Sequence, residues 1–163
     1  MRSILKATVL AVAVGVSAPA FAAGGGGSGT SMDTPSAKPA DPNYANAKKM
    51  IEARNYAGAM PLLQQVVASD PKNADAYNLM GYATRKSGNP NGALQYYNTA
   101  LGLDPKHIGA HEYIGEAYLQ LDRLPEAEQH LARLDQLCTF GCTEYRELKA
   151  AIANYKAGKK PTN

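Results

Sequence analysis

Two cysteines and three histidines are the residues whose types and spacing invite chemistry. Cys138 and Cys142, the only two cysteines, are separated by Thr139, Phe140 and Gly141. Thiols this close pair readily in an oxidising compartment. The bond would clip a turn to which Gly141 gives freedom, and so short a loop contributes on the order of 2 kcal/mol. The alternative is a redox-active pair, but the spacing is not C-x-x-C and no βαβ pattern surrounds it. No His follows Cys142, so covalent haem attachment is not expected. His107 and His111 are four apart and could share a helix face, a spacing able to bind metal, yet His130 belongs to a different segment and no Asp or Cys completes a ligand set. Nor is there a phosphate-cradling glycine loop, a nucleophile elbow or a pair of carboxylates with a cleft to sit in. The expectation is a protein without catalytic residues, metal or cofactor.

Charge narrows the partners. The 163 residues carry a formal net charge of +3, and two of the cations, Arg2 and Lys6, fall in a segment expected to be removed. The remaining 15 cations and 14 anions leave roughly +1. That is no field for holding nucleic acid or an anionic membrane. Trp is absent and Tyr supplies ten aromatics. A core of Ala, Leu and Tyr suits close-packed helices better than a β-sandwich.

The N-terminus reads as an address. Arg2 and Lys6 form a positive n-region, Ala7 to Val16 an aliphatic h-region, and Ala20-Phe21-Ala22 an A-x-A site, with cleavage expected between Ala22 and Ala23. Residues 1–22 are therefore a signal peptide and the destination is the periplasm of a Gram-negative cell. No Cys follows the site to carry a lipid. The alternative is an uncleaved anchor, since Ala7 to Ala23 is 17 residues long, but Gly15, Pro19 and the glycine run beyond oppose a firm membrane helix. Residues 23–42 contain almost no apolar side chains and read as a flexible Gly/Ser/Pro-rich linker.

The elements that must position any site come from a repeat. Asp70-Pro71 and Asp104-Pro105 lie 34 residues apart, Gly81 and Gly115 share that offset, and Ala59, Ala93 and Ala127 give three hits in a row. In register, the second unit carries Tyr77, Met80, Gly81, Gly88, Ala93, Tyr97, Ala100 and Pro105. The third carries Ile114, Gly115, Tyr118, Ala127, Leu131 and Leu134, and a weaker first unit has Ala47, Met50, Tyr56, Ala59, Leu63, Val66 and Pro71. This pattern resembles the tetratricopeptide-repeat (TPR) family over about residues 40–137.

The resemblance implies an all-α solenoid of three helical hairpins, with helices near 42–54, 57–69, 74–87, 90–102, 108–121 and 124–137. Small residues at 47, 81 and 115 let each first helix approach the second, and Ala59, Ala93 and Ala127 answer from the facing helix. Pro71 and Pro105 stop second helices. Pro90 fits a first turn behind an Asn89 cap. Pro61 predicts that its helix starts late or kinks, and Thr139 stands where a closing Pro is expected. His111 takes a position where this fold packs an aromatic ring, and His107 falls in an inter-hairpin turn.

A stack of hairpins leaves its last apolar face open. Tyr145, Leu148, Ile152 and Tyr155 make one helical stripe that can cover it, with Thr143 as the expected N-cap and Gly158 ending the helix. The repeat domain thus spans 43–157, and 158–163 is a polar tail.

By the same resemblance, the first helices line a concave face. Its groove positions fall on Tyr44, Lys48 and Glu52, then Asn78, Tyr82, Arg85 and Lys86, then Glu112, Glu116 and Gln120. Tyr44 and Tyr82 are apt interface anchors, and Arg85 with Lys86 could hold a carboxylate. The basic clamp that some family members use for an acidic C-terminus is not reproduced, because Gly109 and Tyr113 stand where it places cations. The expected function is an adaptor that binds another protein or peptide in this groove. A self-associating structural component of the periplasm is the alternative, and a redox or metal-dependent enzyme a remote third.

Overall fold

The computed structural model describes residues 41–139 and 141–161. Seven helices occupy them, with no strand among the described residues: α1 Pro42–Glu52, α2 Tyr56–Ser69, α3 Ala74–Lys86, α4 Pro90–Leu103, α5 Ile108–Gln120, α6 Leu124–Leu137 and α7 Thr143–Lys156. The predicted signal peptide and nearly all of the linker lie outside the described residues. Pro42, read as the last linker residue, is the first residue of α1, behind an Asp41 cap whose Oδ1 accepts from the Asn43 amide at 2.8 Å.

Helices α2, α3 and α4 begin where short polar side chains replace missing intrahelical acceptors. Asn55, Asn73 and Asn89 each accept the amide three residues on, at 3.0, 2.9 and 2.8 Å. The turns inside the hairpins end α1, α3 and α5 in one way. Arg54, Gly88 and Asp122, spaced 34 apart, all adopt positive φ. In each turn the next amide, of Asn55, Asn89 or Arg123, reaches back to the carbonyl of Met50, Thr84 or Tyr118. These are left-handed C-terminal caps that satisfy otherwise orphaned carbonyls.

Pairing follows chain order: α1 with α2, α3 with α4, α5 with α6, and each hairpin against the next. Ala59, Ala93 and Ala127 are each the fourth residue of their helix and fully buried, so the three units are equivalent at the predicted positions. The small residue at 81 is needed, because a Cβ there would stand 2.5 Å from the Tyr97 ring of α4. At 115 the expectation needs correcting. The side chain closing on Gly115 is Leu148 of α7, 2.6 Å from where a Cβ would sit, rather than one from its own hairpin partner.

Two further expectations change. Pro61 neither delays nor interrupts α2, which starts at Tyr56 and runs unbroken. Pro61 removes one donor, to the carbonyl of Ala57, and both residues are exposed, so water can replace it. Thr143 is the first helical residue of α7, not its cap; Cys142 takes that place, its Sγ accepting from the Tyr145 amide at 3.4 Å. The sulfur is bonded to Cys138, with 5.5 Å between the Cα atoms, so the disulfide clips α6 to α7 as expected. Gly158, at φ +81°, ends α7 as read.

The last helix packs on both α5 and α6. Its Leu148 and Ile152 join Leu119, Ala127 and Leu134 in one apolar cluster. Burying a leucine contributes about 2 kcal/mol, so α7 is bound to the stack as a continuation of its core.

Candidate protein-binding face

The first helices of the hairpins lie side by side, α1 beside α3 and α3 beside α5. The ten predicted groove residues divide in two. Lys48 and Glu52 are exposed; Tyr44, Tyr82, Lys86, Glu116 and Gln120 are half-buried. Asn78, Arg85 and Glu112 are buried and form no part of an open surface.

Arg85 shows why. Its Nη2 lies 2.6 Å from Oε2 of Glu116, tying α3 to α5, and the side chain is 2% exposed. Its guanidinium stacks near Tyr82 and Tyr113, at 5.6 and 5.8 Å from the ring centroids. Burial pulls the guanidinium's pKa down, but Glu116, Tyr97 and Tyr82 together outweigh it and the group stays charged. The Tyr97 hydroxyl faces it and adds to this rise, yet neither Arg85 Nε nor that hydroxyl completes a well-aligned hydrogen bond among the described residues. The predicted role of Arg85, holding a partner's carboxylate, is already taken by Glu116.

Glu112 is buried for a different reason. Helix α7 lies over α5, and burial together with a hydrogen bond from the Glu112 carboxyl to the Glu147 carboxylate and the charges of Glu116, Glu147 and Glu144 raises the Glu112 pKa to about 9. This carboxyl holds its proton at neutral pH. Tyr44, half-buried in α1 with Asp75 nearby, has its hydroxyl raised to about 12 and stays neutral.

Where α1 ends, a hollow of about 240 Å³ opens, lined by Ile51, Glu52, Arg54, Tyr56, Leu79, Tyr82 and Tyr113. The predicted Glu52 and Tyr82 meet here. Tyr56 and Tyr82 stand edge to face with ring centroids 6.2 Å apart, and Tyr82 and Tyr113 are tilted at 4.9 Å. Such tyrosine clusters give a rigid apolar wall with polar tips. Arg54, Tyr56 and Tyr113 were not among the predicted site residues. Tyr56 and Tyr113 appear in the sequence as a repeat residue and a clamp departure, and only the fold brings them together.

The histidines form no metal centre among the described residues. His111 and His130 instead face each other across α5 and α6, Nδ1 to Nδ1 at 2.9 Å. His111 Nε2–H donates to the Pro105 carbonyl at 3.2 Å, so its Nδ1 accepts from His130 Nδ1–H. Both pKa values are lowered, chiefly by burial, that of His130 to about 4. Tyr118 stacks on His130 at 5.7 Å. This pair was not anticipated, since a separation of 19 residues carries no motif. His107 Nδ1 accepts from the Ala110 amide at 3.1 Å and caps α5.

The family model described as anaphase-promoting complex, cyclosome, subunit 3 matches residues 52–134, just over half of the chain. Human protein O-mannosyl-transferase TMTC3 is 34% identical over 68 residues, which is 42% of this chain and 7% of the transferase. Tmtc3 of Drosophila melanogaster is 35% identical over 68 residues, with the same shares of 42% and 7%. The chain thus spans a small fraction of these relatives. Among solved structures, the MamA RS-1 ArsTM double mutant has a TM-score of 0.55 at 27% identity, covering 58% of this chain and 53% of that one. The first TPR of Spaghetti (RPAP3), bound to the HSP90 peptide SRMEEVD, has a TM-score of 0.63 at 21% identity, covering 71% and 93%. At that identity the likeness is one of fold.

Proposed function

Because the chain belongs to the tetratricopeptide-repeat family, we propose that it is an adaptor holding a segment of another protein against the face of α1, α3 and α5, after export to the cell envelope. The observation that carries this reading is the tyrosine-walled hollow between the first helices. Aromatic side chains that are rigid and half-buried at such a place make good anchors for a partner, because little rotamer freedom is lost on contact. Glu52 and Arg54 line it and Lys86 stands against Tyr82, giving charged groups of both signs suited to a peptide backbone and mixed side chains. Export is supported by the three-zone pattern of residues 1–22 and agrees with a disulfide, which persists in an oxidising compartment.

A pull-down from periplasmic extract tests the face. Tyr82→Ala opens the hollow without touching the Ala59, Ala93 and Ala127 seam, and should lower partner recovery several-fold while the helical circular dichroism signal is kept. Equal recovery by wild type and variant removes the face from consideration. Arg85→Ala is unsuited to this test, because it breaks a buried ion pair and would lower stability as well.

A further inference from the structure

Two cations at the tyrosine hollow form no ion pair among the described residues. Arg54 lines the hollow directly. Lys86 stands beside it, with Nζ 5.8 Å from the Tyr82 ring centroid. Each hairpin-closing turn places one residue at positive φ, and the three differ in what they gain from it. Gly88 adopts the conformation freely. Asp122 accepts a 2.8 Å hydrogen bond from the Tyr155 hydroxyl and pairs with Lys160. Arg54, at φ 58°, bears the strain of a side chain there and forms no ion pair among the described residues. The cap at this turn needs the backbone conformation and not the guanidinium, which is left to line the hollow.

We propose that the hollow recognises an aromatic side chain followed by a carboxylate, the ring entering among Tyr56, Tyr82 and Tyr113 and the carboxylate bridging Arg54 and Lys86. This rests on the adaptor reading above and names the chemistry of its partner. The third nearby cation, Arg85, is neutralised by Glu116, so the charge open to a ligand is that of Arg54 and Lys86. Their mutual repulsion is real: after burial, the charges of Arg85 and Arg54 lower the Lys86 pKa, opposed by Glu116. An incoming carboxylate relieves it, adding charge-assisted hydrogen bonds to two donors. An aromatic ring matches the wall, where edge-to-face contact adds to burial. Glu52, on the same rim, has an acceptor for the amide N–H groups of the bound segment and sets its direction, donors toward Glu52 and carboxylate toward the cations. The site reads an internal Phe-Asp type of pair and needs no free chain end.

The test is a titration of the ¹⁵N-labelled protein with N-acetylated, C-amidated pentapeptides containing Phe-Asp, Phe-Asn or Ala-Asp. Amide shifts of Arg54, Tyr82 and Tyr113 should follow Phe-Asp, with affinity roughly threefold or more above Phe-Asn and above Ala-Asp. Arg54→Gly removes the guanidinium while relaxing the turn, so the fold is kept, and it should abolish the preference for Asp over Asn. Equal affinity for Asp and Asn, an unchanged preference in Arg54→Gly, or no shifts at millimolar peptide would each overturn the proposal. If Tyr82→Ala still loses its partner from extract while the peptides fail, the adaptor face stands and only the assigned chemistry falls.

Discussion

Arg85 Nη2 lies 2.6 Å from Glu116 Oε2, so one ion pair joins α3 to α5 beneath the face proposed for binding. The two ends are unequally covered. Arg85 is 2% exposed and Glu116 is 24% exposed. An orphaned Glu116 can be hydrated, whereas an orphaned Arg85 cannot. Glu116→Leu should therefore cost about 3 kcal/mol, near what removing one partner of a buried pair costs. Arg85→Met, which keeps apolar bulk between Tyr82 and Tyr113, should cost about 1 kcal/mol. Urea unfolding followed by circular dichroism measures both, and equal losses would mean that the pair is not buried as described.

The hairpin turns make a second prediction. Arg54→Gly relieves positive-φ strain and should raise stability by about 1 kcal/mol. Asp122→Gly relieves the same strain but loses the bond from Tyr155 and the pairing with Lys160, which tie α7's end to the turn after α5. Its net change should be near zero or unfavourable. A thermal melt of the two variants, side by side, checks the difference in sign.

These turns also mark what the sequence could reveal. Gly88 announces its turn, while Arg54 and Asp122 fill the same backbone role with residue types that carry no such signal; only the 34-residue register places them. The seam was legible because Ala59, Ala93 and Ala127 are small for one shared reason. The groove was legible by register, but not its depth. Whether Asn78, Arg85 and Glu112 face water depends on what covers them: Glu116 and two tyrosines for Arg85, and α7 for Glu112. The cap of α7 was misplaced by one residue because a disulfide sulfur is rarely counted among helix-capping acceptors.

Leu148 is the side chain that seats α7 against Gly115, and it is fully buried. Leu148→Ala should cost about 3 kcal/mol, as for other leucines removed from a packed interior. Amide exchange should accelerate first in α7 and then in α5, with α1 and α2 little changed. Uniform acceleration across all helices would show that α7 is not a separable end of the stack.

The dependence of stability on pH should have two flanks. His130 and His111 have pKa values lowered in the folded chain, that of His130 to about 4 against 6.5 unfolded. Between those limits the unfolded chain binds more protons, so stability falls as pH drops from about 6.5 toward 4. Glu112 has the opposite sign: its folded pKa of about 9 lies above the usual 4.5, so between those limits the folded chain holds the extra proton and stability falls as pH rises from 4.5 toward 9. One carboxyl opposes two imidazoles below pH 6.5, and the maximum should therefore sit near 6.5. The midpoint of urea unfolding, measured from pH 4 to 9, reads both flanks. Glu112→Gln keeps a neutral side chain at every pH, and should raise stability at pH 8 and flatten the alkaline flank. His130→Gln should flatten the acid flank while leaving the alkaline one as it was. If the two substitutions alter the same flank, or neither, then burial of Glu112 under α7 and the His111–His130 contact do not govern how protons couple to folding.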